Sequence, residues 1–361
     1  MRILVALNAF KGTASSSKLN KVVSKILSKK HSVLIKNISD GGDGFIDCFK
    51  KNGIVIKKIV TGPLYDMKVK AKYVLDSKVA YIEIAEASGI RYLKKNQLDI
   101  INATTYGVGE LIIDAVRRGA KEIYIGLGGT ASNDCGFGMA RALGIRFLDG
   151  YGDDVENNIY GMINIKKIDF SKFNISDRIK FYGVCDVKNR LLGKYGSARV
   201  FGPQKGASET DIETIEKALK NLTIVLKKET GRDISKIYGG AAAGGLGAGL
   251  YGFLNSKIIS GSDFIFKKLK FLDDLKRCDL VITGEGRLDR STFYGKITGE
   301  IIRVALKHKK RIIFITAVDD YKKRIKGTEI INLSKKYEIS YLTKNITDAI
   351  EKEASVIGKM L

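Results

Sequence analysis

Short apolar runs alternate with segments of helical period from the first residues of the chain. Residues 2–7 read as a strand, and the serines at 15–17 offer caps for an amphipathic helix carrying Leu19, Val22, Val23, Ile26 and Leu27. A second strand, 32–38, runs into Ser39-Asp40-Gly41-Gly42-Asp43-Gly44 and then a helical segment over 45–51. Three alternating or β-branched runs, 54–60, 69–75 and 79–84, suit antiparallel strands, with Pro63 and Asp76-Ser77 at the breaks. Thr104 to Gly109 opens a helix that Gly119 ends; a strand at 122–126 then leads through Leu127-Gly128-Gly129 to Asn133-Asp134 and a further helix to about residue 143. Residues 146–178 are polar and weakly periodic and read as irregular, whereas 180–184 returns to strand and meets Cys185-Asp186-Val187.

The second half repeats the alternation. A helix over 209–228 has acids at its start and lysines at its end, the order its dipole favours. The alanine-glycine run at 239–249 is compatible with close helix packing, a ligand loop or a linker. The stretch 279–296 reads as strand, loop and helix, a junction at which backbone N–H groups and a helix dipole can face an anion, with Gly284 and Gly286 letting the main chain approach it. Glu285 and Asp289 add carboxylates that could hold a divalent cation, and together these groups point to a phosphorylated substrate; a polar loop with ordinary turn glycines is the alternative. Strands at 310–315 and 330–333 and a helix at 346–361 close the chain.

This alternation predicts an α/β protein: a parallel, Rossmann-like sheet domain from 1–61 and 277–361, an inserted mixed α/β domain over 62–276, and a cleft between them. A length of 361 residues with 44% hydrophobic positions supplies two cores. No apolar run is long enough to cross a bilayer and the first residues lack a signal-peptide layout, so a cytoplasmic protein with no membrane partner is expected. Four dispersed cysteines and two histidines give neither a zinc spacing nor a Cys-x-x-Cys pair. The net charge of +24 is spread along the chain rather than gathered in an arm, so it indicates no nucleic-acid partner, although a basic nucleic-acid-binding protein is the non-enzymatic alternative. Walker and protein-kinase motifs are absent.

Taken in order, the loops resemble those of bacterial type I glycerate kinases over nearly the whole chain. The likeness rests on Phe10-Lys11-Gly12, Asp40-Gly41-Gly42, Thr61-Gly62-Pro63-Leu64, Ala87-Ser88-Gly89, Thr104-Thr105-Tyr106-Gly107 with Gly109-Glu110-Leu111, and Gly128-Gly129 with Asn133-Asp134. It continues through Cys185-Asp186-Val187, Phe201 to Ala207, Ala242 to Gly247 and Ile282 to Arg287. The sequence departs from the family where Asn8 and Ala9 stand in place of a usual aspartate and serine, and at Asp43, Phe45, Arg190 and Ala241.

The resemblance implies ATP-dependent phosphorylation of D-glycerate, with 2-phosphoglycerate favoured, Mg2+ or another divalent cation as cofactor, glycerate and ATP as small-molecule partners, and a homodimer left open. A kinase of the same fold acting on another small hydroxy acid is the alternative. Phosphoryl transfer needs cations or N–H groups around the phosphate and a carboxylate at the attacking hydroxyl. Asp186 is the candidate to orient or deprotonate that hydroxyl, against a turn-capping role, and Lys11 to assist catalysis. Asp40, Asn133, Asp134 and Arg287 are candidates for substrate binding, with helix capping open for Asn133 and Asp134 and an ion pair open for Arg287. Gly41, Gly42, Gly128, Gly129, Thr283, Gly284, Gly286 and Lys296 are candidates for the nucleotide. Glu285 and Asp289 are the metal candidates with Asp40 as rival, and Lys205 is a further cation able to neutralise charge.

Overall fold

A computed structural model describes the chain except for Tyr294, Lys322 and Arg324. It divides into two compact units, Met1–Cys48 with Ser260–Leu361, and Phe49–Ile259. These changes fall earlier than 61/62 and 276/277, for a local reason at each. The strand Ile54–Thr61 is paired along its length with Lys68–Asp76 in the second unit. The helices Gly261–Lys268 and Phe271–Arg277 belong to the first, where Asp274 takes the Lys36 ammonium at 2.6 Å.

The first unit is built on a five-stranded, all-parallel sheet in the order Thr328–Asn332, Arg311–Asp319, Leu280–Leu288, Arg2–Leu7, Ser32–Ile35. Its central strands are apolar on both faces, as a sheet covered by helices on either side requires, and Ile3, Val5, Leu7, Ile282 and Ile315 pack with Leu19 and Val23 of the helix Ser16–Leu27 and with Leu342, Ile346 and Ile350 of the closing helix. From Arg2–Leu7 the chain steps outward to Ser32–Ile35, and from Leu280–Leu288 it steps the other way through two further strands. The order therefore reverses between Arg2–Leu7 and Leu280–Leu288, and the carboxyl ends on either side of such a reversal leave a crevice.

Two expectations change here. The strand does not stop before the two glycines; it runs to Leu288, with Glu285 opposite Thr316 and Arg287 opposite Val318. Gly284 is what allows this, since a Cβ there would lie 1.9 Å from the Ile315 carbonyl oxygen. The closing helix begins at Ile339 rather than 346, and a break at Asn345 (φ −128°, ψ 29°) explains why only its second part has a clear period.

The second unit carries a six-stranded mixed sheet in the order Lys257–Ile259, Lys180–Val184, Glu122–Gly126, Val79–Glu83, Lys68–Asp76, Ile54–Thr61. The first four are mutually parallel and the last two join antiparallel. Segment 146–178 is not irregular: Arg146–Leu148 pairs with Lys167–Asp169, and the helix Ile159–Asn164 lies between them. These elements are three to six residues long and hold their place by burying Phe147, Ile159, Met162 and Ile168, a tertiary effect that periodicity over so few residues cannot report. The segment 45–51 forms one 3-10 turn, Ile46–Cys48, rather than a longer helix. Among the described residues no helix is long and apolar enough to cross a membrane, and the four cysteines are buried and form no disulfide.

The carboxyl end of Arg2–Leu7 is tied down by Asn20, a fully buried helix residue. Its Oδ1 accepts the Leu7 N–H at 2.7 Å, and its Nδ2 donates to the Lys36 carbonyl at 3.2 Å and to Ser16 Oγ at 3.1 Å. Ser16 Oγ in turn donates to the Leu7 carbonyl at 2.6 Å. Asn20→Ala leaves the Leu7 N–H buried without an acceptor and is expected to cost about 2–3 kcal/mol, read as a lower denaturant midpoint with an unchanged slope.

Candidate active site

A pocket of about 360 Å³ opens where the first sheet reverses its order. The loop after Arg2–Leu7 supplies Asn8, Phe10 and Lys11, the loop after Ser32–Ile35 supplies Asp40, and the end of Leu280–Leu288 supplies Glu285, Gly286 and Arg287. Lys296 completes this polar side, while Ala317, Val318, Ile339, Leu342 and Ile346 form an apolar one. Of the residues selected from sequence, Lys11, Asp40, Glu285, Gly286, Arg287 and Lys296 thus meet in one concavity.

Glu285 is the buried centre of this set. One oxygen accepts the hydroxyls of Thr292 at 2.7 Å and Thr298 at 2.9 Å; the other takes the Lys296 ammonium at 3.2 Å. Lys296 also lies 4.0 Å from Asp289, whose Oδ1 accepts the Ser291 N–H at 2.7 Å and its hydroxyl. Burial alone would lift the Asp289 carboxyl, but the Ser291 hydroxyl, Lys296 and nearby N–H groups hold it below the usual carboxylate range.

Other partners show which expected contacts are structural. The Thr283 hydroxyl donates to the Ala6 carbonyl at 2.7 Å, locking the two central strands together, and Gly284 is taken up by strand packing. Arg287 makes an exposed pair with Asp320 at 2.7 Å. Asp40 receives the Gly42 N–H on Oδ1 at 3.1 Å, so Asp40-Gly41-Gly42 is a side-chain-stabilised turn; among the described residues its Oδ2 has no partner.

That distribution tests the site for a divalent cation. Magnesium bound with a nucleotide takes most of its oxygens from phosphate and water and one or two from carboxylates. Glu285 already has contacts on both oxygens, Asp289 lies outside the pocket lining, and Asp40 lines the pocket with one oxygen that has no partner among the described residues. No group of three or more metal-ligating side chains occurs among the described residues.

The remaining candidates lie at the carboxyl edge of the second unit's parallel strands. Gly128 and Gly129 follow Glu122–Gly126, and the Gly129 carbonyl accepts the Ile90 N–H at 2.9 Å. Asp186 is half-buried just beyond Lys180–Val184. Asp134 is enclosed and holds three segments together, accepting Thr105 N–H at 2.9 Å, Thr105 Oγ1 at 2.8 Å, Gly136 N–H at 3.2 Å and Gly138 N–H at 3.0 Å. Burial still pushes its carboxyl up. Asn133 accepts the Ser197 hydroxyl at 2.6 Å. Sequence reasoning missed Asn20 and Ser197, whose importance lies in contacts with residues 13 and 64 positions away.

Comparison with known proteins decides what this constellation belongs to. The model of the glycerate kinase family matches residues 3–361. The chain belongs to the glycerate kinase family. Among curated relatives, a glycerate kinase of Halalkalibacterium halodurans is 38% identical over 77% of this chain and 74% of its own length. A glycerate 2-kinase of Escherichia coli is 36% identical over 87% and 84%, respectively. A crystal structure from Salmonella typhimurium, described as a glycerate kinase 2, superposes with a TM-score of 0.81 at 31% identity, covering 100% of this chain and 98% of that one. The expected family, the kinase class and the mixed α/β fold are thereby shown.

Within this glycerate kinase fold Asp134 acts through its four donors. Asp134→Asn turns an N–H toward them and is expected to lower stability by about 3 kcal/mol. A thermal midpoint that falls well below the wild type checks this.

Proposed function

We propose that the protein transfers the γ-phosphoryl group of ATP to the 2-hydroxyl of D-glycerate in one in-line displacement. The observation that carries this reading is the pocket at the strand-order reversal, whose lining divides into an apolar wall suited to a base and a polar wall suited to phosphates. Lys11 and Lys296 are placed to offset phosphate charge, and Glu285, through Lys296, Thr292 and Thr298, positions that ammonium. Arg287 can exchange its exposed pair with Asp320 for a bidentate grip on an anion at little cost, since exposed pairs contribute little.

A divalent cation, when bound, would supply charge withdrawal from the phosphate groups, and Asp40 is the residue that would hold it. Asp186 is proposed to orient the glycerate hydroxyl and receive its proton. The hydroxyl oxygen bonds to the γ-phosphorus, the bond to the β–γ bridging oxygen breaks, and ADP leaves with that electron pair. The E. coli relative described as a glycerate 2-kinase supports the 2-hydroxyl as acceptor.

Asn8 favours a second reading. It lines the pocket where the family usually has an aspartate, so a different small hydroxy acid could be preferred. Comparing kcat/KM across D-glycerate and other 2-hydroxy acids separates the two; a better substrate than D-glycerate replaces the first reading.

With purified protein and Mg-ATP, ADP release is expected to require D-glycerate and NMR of the product to show 2-phosphoglycerate; no glycerate-dependent release sinks the proposal. Asp186→Asn is expected to lower kcat by about 10²-fold or more with the fold intact, the size of a lost general base. Lys296→Met is expected to lower kcat/KM for ATP roughly 10- to 100-fold, as loss of a charge-assisted contact does.

A further inference from the structure

Of the chain's 63 lysines and arginines, Lys205 alone is buried among the described residues, at 4% exposure. It ends the 3-10 turn Pro203–Lys205, and its ammonium donates at 2.5 Å to the carbonyl of Ser132, the peptide that leads into Asn133. Among the described residues it has no second acceptor and no carboxylate at ion-pair distance. Asp134 is the charged group acting on it, but that carboxylate already accepts four hydrogen bonds. Burial pulls the Lys205 ammonium down to about 7, against the opposing pull of Asp134.

Two more unspent donors lie on or against the same loop, Asn133 within it and Ser88 at the end of the helix Ala85–Ser88. Asn133 is fully buried and its Nδ2 has no acceptor, while its Oδ1 is occupied by Ser197. Ser88 is fully buried with an unpartnered hydroxyl, and its carbonyl receives the Ala131 N–H at 2.9 Å and the Thr130 hydroxyl at 3.1 Å. Among the described residues nothing supplies what they lack. Gly244, in the left-handed region at φ +67°, presses so closely that a Cβ would lie 2.0 Å from the Ser132 carbonyl. The loop reaches solvent at Gly129, which is exposed.

An ammonium with two idle N–H groups, an amide with two and a hydroxyl, brought from three segments to the buried stretch 130–133, form a donor set in need of an anion. We propose that Lys205, with the Asn133 amide, is the subsite in the second unit for one oxyanion of a substrate, a carboxylate or a phosphate. That the anion comes from glycerate or ATP rests on the kinase reading; that it is an oxyanion rests on the donors. Asn133 is thereby a binding residue and not a helix cap, and Lys205 a residue that binds by charge.

Binding an anion beside a neutralised ammonium recharges it, so above pH 7 the complex takes up a proton that the free protein lacks. Titration calorimetry of the full chain at pH 8, in two buffers of different ionisation enthalpy, reads this directly. D-Glycerate reports a carboxylate subsite and sulfate, which does not titrate there, reports a phosphate subsite. At least one is expected to bind with uptake of roughly one proton, and affinity is expected to fall as pH rises through about 7.

Lys205→Met is expected to abolish the uptake and weaken that anion about 10- to 100-fold. Asn133→Asp, which keeps the Ser197 bond and sets a carboxylate beside the ammonium, is expected to do the same. If the wild type binds both anions without proton uptake, or neither, the proposal is overturned whatever the variants do. Unchanged binding in a folded Lys205→Met protein also overturns it. Turnover measured in parallel keeps the readings apart: turnover without these effects removes the subsite alone, and proton-linked binding without turnover removes the kinase alone.

Discussion

The pairing of Arg2–Leu7 with Leu280–Leu288 is the constraint on which the first unit depends. These strands come from opposite ends of the chain, and the cost of closing so long a loop is met by a full parallel ladder in a largely apolar interior. Two details hold the register: the Thr283 hydroxyl on the Ala6 carbonyl, and the missing side chain of Gly284 between Leu7 and Ile315. Because the strand order reverses at this pair, the same interaction that closes the core also aims Asn8, Lys11, Glu285 and Arg287 into one pocket. Fold and site here are one geometric fact.

That fact was partly legible in the sequence. Strands with continuous apolar runs, and the loops after them, could be read because a doubly covered parallel strand leaves a run of Val, Ile and Leu that polar loops interrupt. The candidates Lys11, Asp40, Glu285, Gly286, Arg287 and Lys296 follow from that, since residues at the carboxyl ends of neighbouring parallel strands must meet. What could not be read was how each polar atom is engaged. Glu285 stands in the same loop as Asp289 in sequence, yet one is a buried hub for Thr292, Thr298 and Lys296 while the other closes its own turn with Ser291. The short elements between 146 and 178 escaped for a related reason: their stability is a property of burial and has no periodic trace.

Charge illustrates the same limit. A net +24 invites a functional reading, but nearly all of the cations are surface groups, and exposed pairs such as Arg146–Asp154, Arg287–Asp320 and Lys352–Asp348 contribute about 0–1 kcal/mol each. A cation's significance depends on its desolvation, and desolvation is set by the fold. Lys205 is one basic residue among many in the sequence and, among the described residues, the one that is buried.

Asp134 and Lys205 show the two ways a buried charge can be accommodated. Asp134 has its full set of donors from Thr105, Gly136 and Gly138, and so fixes the relation of two helix starts to the loop between them. Lys205, at the carbonyl of Ser132 two residues before Asp134, has one acceptor for three donors among the described residues. Replacing it with an apolar side chain of similar length would relieve the desolvation cost while leaving the Ser132 carbonyl without this donor. A lysine kept at such a place must be offset by an interaction that the protein alone does not provide, and for an ammonium beside an idle amide that interaction is with an anion.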